Sequence, residues 1–224
     1  MSLTKLFSKE ASIGLKALRM CVLAAAGIFG INSLINNLPE IESSEEQATT
    51  LKQLFKNSLD TDKISIKQSW FSDYLIDYSD AHTFGNTIHL HSRFTEKDQK
   101  ALYNHILLHE HVHVWQKQNC AQESLSLIEM VQKYYLGKDK EHHSYGYHLE
   151  KQKDLLDYNT EQQAVIIADY AKFLNGENAL HMLNDGYYRE KNKQLFESVL
   201  ANFLRNPSYI KAHCQNTPLV QAKI

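Results

Sequence analysis

The stretch Leu107-Leu108-His109-Glu110-His111-Val112-His113-Val114-Trp115-Gln116 decides how the whole chain is read. Apolar residues recur through it and before it at helical spacing (Leu102, Ile106, Leu108, Val112, Trp115), which predicts one long helix over about 98–118. Residues four apart share a helix face, so His109 and His113 point at one place. Two imidazoles from one rigid turn supply half of the tetrahedron that zinc prefers, with nitrogens at ~2.0–2.1 Å. Glu110, one position round from His109, is placed to take a proton from a water on the metal rather than to bind the metal. Zinc lowers the pKa of such a water to about 7. His111 lies about 200° round the helix from His109 and is expected on the helix surface. His105, one turn earlier, is expected to be an exposed histidine, with the metal's outer shell as its other possible place.

The pattern H-E-x-x-H is a weak signal by itself, and its setting is what strengthens it. It sits on a long apolar-periodic helix with a strand just upstream. The overlapping Glu110-His111-Val112-His113 also fits the Glu-x-x-His of di-iron helical bundles. Those need a second copy on a facing helix. The chain has none, since Glu177 and His181 are four apart rather than three.

Two histidines need at least one more protein ligand. Asp157-Tyr158-Asn159-Thr160-Glu161-Gln162-Gln163-Ala164 opens another predicted helix, Thr160 to Leu174, with Glu161 in its first turn. Glu161 is the leading candidate, and its plainer role would be to complement the helix dipole. His142, His143 and His148 in a polar loop, and Asp169 further along the helix, are the other contenders.

Around these residues the chain reads as helix-dominated α+β. Ser44 to Leu59 is helical by spacing, Lys63 to Gln68 alternates like a half-buried strand, and Gly85-Asn86 marks a turn before a second strand, Thr87 to His91. That second strand is expected to offer an edge to an extended substrate. Thr95 with Asp98 marks the start of the motif helix. Further helices are expected over 123–135 and 190–204, and a short extended piece over Tyr145 to Leu149.

Composition sets the class. With 43% hydrophobic and 22% charged residues the chain has the make-up of a folded globular protein. A formal net charge of −2 gives no general pull toward nucleic acid, and no nucleic-acid partner is expected. Only 8 Gly and 3 Pro interrupt it, which favours long helices, while 12 His is the compositional outlier. Three cysteines are too few for a disulfide scaffold. Cys120 and Cys214 can pair in an exported domain or stand as free thiols.

The amino end differs from the rest. Met20 to Ile31 is an unbroken apolar run, preceded by Lys5, Lys9, Lys16 and Arg19 and followed by Glu40, Glu42, Glu45 and Glu46. Residues 1–43 therefore read as a basic and apolar membrane-anchor or export segment, and 44–224 as the catalytic domain. Positive charge before the run predicts that this domain lies outside the cytoplasm, periplasmic or secreted, and tethered to a membrane through the segment. The alternative is a buried or amphipathic helix packed on the domain.

At His109 to Gln116, Thr83 to Leu90 and Asn159 to Ala164 the sequence resembles zincin metallopeptidases whose third ligand is a glutamate, with thermolysin as a distant prototype. It looks more like the small bacterial metallopeptidase-like domain found with toxin-delivery systems, Vgr-related proteins among them. Members carry an H-E-x-T-H-V-W-Q-like helix, a strand with a Thr/Gly turn before it, and a downstream N-x-E-Q-Q-A helix. The resemblance covers roughly residues 60–172. Val112 replaces the threonine often seen before the second histidine. Val165 stands where thermolysin-like enzymes carry an aspartate, which leaves the histidines' outer partner to Asp157 or Asp169.

The resemblance implies a minimal zincin-like fold with a small sheet preceding the motif helix. It also implies a zinc peptidase acting on a peptide or protein. His109, His113 and Glu161 would be its ligands and Glu110 its base, with Tyr145 or Tyr147 as a stabiliser of the transition state. Two other functions fit the same residues: a hydrolase of peptidoglycan peptide cross-links, and a non-catalytic, zinc-stabilised component of a toxin-delivery system. An intact Glu110 speaks against the second, because a purely structural zinc has no use for a base.

Overall fold

The computed structural model describes residues 38–69, 81–91, 100–120, 145–184 and 189–216. The apolar run 20–31, the helix start at Thr95, the helix expected over 123–135, and His142 and His143 lie outside them. Helix α1 (Glu45–Phe55) opens on a capping box: Gln47 N donates to Ser44 Oγ at 3.3 Å and Ser44 N to Gln47 Oε1 at 2.9 Å. It stops short of the Leu59 expected from spacing because Lys56 turns to a positive φ of 52°. Strands β1 (Ser65–Ser69), β2 (Ala81–Phe84) and β3 (Thr87–His91) follow, then the long helix α2 (Lys100–Cys120) that carries the histidine motif. Helix α3 (Thr160–Leu174) begins at Asn159, whose side chain accepts from Gln162 N at 2.8 Å. Helices α4 (Arg189–Val199), α5 (Ala201–Arg205) and α6 (Ile210–Asn216) complete the described residues.

The architecture is the helix-dominated α+β expected, with a mixed three-stranded sheet ahead of α2. The strand order is β1-β3-β2, with β1 parallel and β2 antiparallel to β3. The β2–β3 hairpin turns on Gly85-Asn86, where Gly85 takes φ 69°, a conformation that favours glycine at the lead position of a two-residue hairpin loop. The sheet corrects one expectation. Strand β3 is central, with both edges paired, so it offers none to a substrate; the strand that ends the ladder beside it is β2. The outer side of β1 is met by residues 39–41, through Ile41 N to Ile66 O at 2.8 Å and Gln68 N to Pro39 O at 3.1 Å.

Helix α2 packs against α1, α3, α6 and the sheet, and this surrounding decides several side chains. Val112, Val114 and Trp115 are fully buried, and Trp115 meets Phe55 and Phe203 in an aromatic cluster at 5.9 and 5.3 Å. His111, expected on the surface, is 2% exposed, and its Nδ1 donates to the Leu107 carbonyl at 2.7 Å. A helix covered on opposite sides has no wet face for it. The helix expected over 190–204 is interrupted at Leu200, yet Leu200 N still bonds Phe196 O and Leu204 N bonds Leu200 O, each at 2.8 Å. The irregularity lies where Phe196, Val199, Leu200 and Phe203 are all fully buried. Cys120 and Cys214 form a disulfide, Cα–Cα 5.4 Å, which ties the end of α2 to α6.

His105, expected to be exposed, is 5% exposed and bonds Asp169 Oδ1 at 2.9 Å. Asp169 is wholly buried and accepts three more bonds, from Tyr147 Oη at 2.8 Å, Leu180 N at 2.9 Å and His181 N at 3.0 Å. Burial pushes its carboxyl up, but the bonds from His105, Leu180 and His181 outweigh that and hold it below its usual value. Replacing Asp169 by Ala strands four donors, two of them, His105 Nε2 and Tyr147 Oη, fully buried, so a loss of about 3–5 kcal/mol is expected in urea unfolding. An unchanged midpoint would remove Asp169 as a structural hub.

A second buried pair sets the response to acid. His82 and His89 face each other across the β2–β3 ladder with rings stacked at 5.0 Å. Burial, then the neighbouring His89, lowers His82 to about 3. Burial, then the charge of Lys67, lowers His89 to about 4. In the unfolded chain both titrate near 6.5. Above that pH neither state binds the proton. Below it the unfolded chain takes up protons that the fold refuses, so stability drains as pH falls from about 6.5 toward 3–4. Between pH 7 and 5, where carboxylates stay ionised, this pair costs on the order of 4 kcal/mol, and the loss should shrink by about that amount in the double variant His82→Leu/His89→Leu, leaving the contribution of buried His111, which is lowered to about 4. Equal urea midpoints of the wild type at pH 7 and 5 would contradict this.

Candidate metal centre

The turn of α2 that carries His109 and His113 faces the first turn of α3. His109 Nε2 and His113 Nε2 lie 3.0 Å apart, and Glu161 Oε2 lies 3.3 Å from each. Three donors around a tetrahedral zinc at ~2.0–2.1 Å stand about 3.3–3.4 Å from one another, so this triangle fits such an ion with small adjustment. Among the described residues it is the group of histidine, cysteine and carboxylate side chains that can hold a metal ion. Exposure rises across it, from 11% for the His109 side chain to 20% for His113 and 28% for Glu161, which leaves solvent access on the Glu161 side.

The electrostatics favour a cation. Burial pushes the Glu161 carboxyl up, but the hydrogen bonds from His109 and His113 prevail and hold it well below the usual carboxylate range. Burial likewise opposes charge on His113, yet the bond to Glu161 and the fields of Glu161 and Glu110 raise it to about 9. The protein thus concentrates negative charge where the imidazole nitrogens converge.

A relay of two glutamines sets the tautomer of His113. Gln163 Nε2 donates to the Tyr158 carbonyl at 2.7 Å, which turns Gln163 Oε1 toward Gln116. Gln116 Nε2 donates to that oxygen at 2.9 Å and to the Thr160 carbonyl at 3.0 Å, which turns Gln116 Oε1 toward His113. His113 Nδ1 therefore keeps its proton directed at Gln116 Oε1, 2.9 Å away, and Nε2 is the nitrogen that gives up its proton to a metal. Asp157 and Asp169 do not fill this role: Asp157 accepts from Asp154 N, and Asp169 belongs to the buried hub described above. Gln116→Ala is expected to weaken zinc binding about 10- to 100-fold in a chelator competition with the fold intact. Unchanged affinity would show that the relay does not orient the ligand.

Glu110, 5% exposed, is held from the sheet. The Thr83 hydroxyl lies 2.7 Å from Glu110 Oε2 and 3.1 Å from the Glu110 carbonyl oxygen, and it donates to this pair. Tyr145 is 41% exposed with its ring edge-on to His109 at 5.9 Å, so it stands at the site. Tyr147 does not. It is 1% exposed and its hydroxyl is taken by Asp169, which removes it as a stabiliser of a reacting group. His148 is exposed, and its carbonyl accepts from Tyr158 Oη at 2.9 Å; it is not part of the donor group.

Sequence reading missed Thr83, Gln116, Gln163 and His181 as individual residues. Gln116 and Gln163 were visible inside the two quoted blocks, but only their bonds reveal the relay. His181 carried no signal at all: its ring reaches within 5.9 Å of Tyr145 through the fold of segment 180–184.

No family model matches the chain, and no curated protein does. Among solved structures, the effector domain of Pseudomonas aeruginosa VgrG2b is similar at 23% identity, covering 84% of this chain and 98% of that one, with a TM-score of 0.44. A likeness of that degree adds no weight to the site, which stands on three converging donors and the polar groups that orient them.

Proposed function

We propose that this protein is a zinc-dependent hydrolase, a metallopeptidase, with His109, His113 and Glu161 as zinc ligands and Glu110 as general base. The observation that carries this is the pairing of the donor triangle with a neighbouring carboxylate outside it. The group that can hold a metal consists of His109, His113 and Glu161, while Glu110 is occupied by Thr83. Three protein ligands leave one position open, the arrangement of catalytic rather than structural zinc. Zinc held there supplies a Lewis acid that acidifies water and polarises a carbonyl.

The chain's own residues do the rest. Glu110 takes a proton from the attacking water as its oxygen bonds to the carbonyl carbon. It then delivers that proton to the amine nitrogen as the C–N bond breaks, leaving an acid and an amine. Thr83 holds one carboxylate oxygen of Glu110 and leaves the other for the water's proton. Tyr145 is our candidate donor to the oxygen that becomes negative, supported by its exposed position beside His109. The reading is tested by zinc analysis of the purified protein and by hydrolysis of a peptide mixture before and after chelation. Stoichiometric zinc with chelator-sensitive cleavage is expected. A metal-bound protein that cleaves nothing would favour the non-catalytic role.

We also propose that the domain works outside the cytoplasm. Beyond the basic and apolar amino end, the Cys120–Cys214 disulfide supports this, because such bonds persist in oxidising compartments. No helix among the described residues is long and apolar enough to cross a membrane. Fractionation of cells expressing the full chain should recover it outside the cytoplasm with the disulfide formed. Recovery in the cytoplasm with both thiols free would overturn the placement.

A further inference from the structure

Helix α2 has a second face. Asn104, Leu107, Leu108 and His111 recur at helical spacing on the side away from His109 and His113, so they form one stripe, polar at both ends and apolar between. With the flanks of α1 and α3 that stripe lines a cavity of about 360 Å³, to which α1 adds Leu51 and α3 adds Ala171. Small-molecule sites are clefts of about 300–1,000 Å³, mostly apolar, with a few placed polar groups. The exposed charges that border this one are matched. Lys100 pairs with Glu46 at 2.8 Å, and Lys172 pairs with Glu177. The border therefore has no net pull on an ion.

Each polar end of the stripe keeps an unused hydrogen-bonding atom. Ser44 N donates to Gln47 Oε1, which turns Gln47 Nε2 to Asn104 Oδ1 at 2.8 Å. Asn104 Nδ2 is left as a donor with no partner among the described residues. His111 spends Nδ1 on the Leu107 carbonyl, so Nε2 of the neutral ring is an acceptor, also without a partner among them. An acceptor on a residue only 2% exposed is costly to leave unmade. Asn104 and His111 are seven residues apart, which is about 10.5 Å along the helix axis, with Leu107 and Leu108 between them. We propose that this cavity is a second ligand site. It takes a neutral, elongated molecule with an apolar body, an acceptor at the Asn104 end and a hydroxyl or N–H donor at the His111 end. His109, Glu110, His113 and Glu161 do not line it, so the proposal holds whether or not the peptidase reading does.

The test titrates the full chain at pH 7 with 6-acetyl-2-naphthol, a rigid probe with a carbonyl at one end and a hydroxyl at the other, read by ligand-observed NMR. A Kd of about 0.1–1 mM is expected for a molecule of this size. Its methyl ether keeps the shape and loses the donor, and should bind about five- to tenfold more weakly. His111→Leu should weaken the naphthol by the same factor and leave the ether unchanged. Ala171→Phe, which fills the cavity from a partly exposed position, should remove binding of both, with circular dichroism as the check that α3 still forms.

No binding by the wild type, equal binding of naphthol and ether, or binding that survives Ala171→Phe would each overturn the proposal. Zinc tests whether the two sites are separate. One equivalent of zinc should leave the probe's Kd unchanged, and Ala171→Phe should bind zinc as the wild type does. Displacement of the probe by zinc would place it at the metal centre and overturn the second site. Probe binding by a wild type that takes up no zinc would sink the hydrolase reading and keep this site.

Discussion

Glu110→Gln is expected to keep its zinc and lose about 10²- to 10⁴-fold in turnover, the range that a positioned general base contributes. The substitution changes the chemistry and little else. Glu110 is buried and already held by the Thr83 hydroxyl at 2.7 Å, and an amide of the same shape can accept that bond through its carbonyl oxygen. The donor triangle does not include Glu110, so metal content should stay at wild-type level. The amide cannot accept the water's proton, and that is the loss measured. Turnover should be compared on a peptide that the wild type cleaves, with zinc measured on the same samples. Turnover equal to wild type would assign the base to another residue.

Glu161→Ala is expected to weaken zinc binding by about 100-fold or more, beyond what loss of an orienting partner causes. Glu161 Oε2 stands 3.3 Å from both imidazole nitrogens, and no other carboxylate among the described residues joins that group. Its removal also withdraws the charge that most directly favours a cation. His142→Ala and His143→Ala should leave affinity nearly unchanged. Competition with a chromophoric chelator reads all three variants, and circular dichroism checks that α3 still forms. Full occupancy at wild-type affinity in Glu161→Ala would move the third ligand elsewhere.

Local periodicity made the motif helix legible. His109 and His113 share a face because they are four apart, and Glu110 lies beside that face, whatever the rest of the chain does. The same logic located α3 over Thr160 to Leu174, because Asn159 caps it and the interior residues repeat at helical spacing. The Gly85-Asn86 hairpin was legible for a related reason, since a two-residue turn constrains only its own backbone.

Everything that needed a distant partner was decided by the tertiary structure. Glu161 was one contender among several until the packing of α2 on α3 carried its carboxylate to both imidazoles. The orientation of His113 depends on Gln116 and Gln163, whose amide directions are set by the carbonyls of Thr160 and Tyr158 at the start of α3. His111 was misjudged because helix angle says which residues lie opposite one another, not whether both sides are covered; α3 meets the His109 side, and α1 and the sheet also pack on α2. Strand β3 became central because β1 pairs with it across intervening chain, a choice no local pattern encodes. Tyr147 and Tyr145 are two apart and have opposite fates, one bonded to Asp169 in the core and one partly exposed beside His109. What each short segment can form is legible locally, because backbone sterics and side-chain spacing act within a few residues. Which segments meet is a property of the assembled core, where burial, pairing and hydrogen-bond satisfaction are settled together.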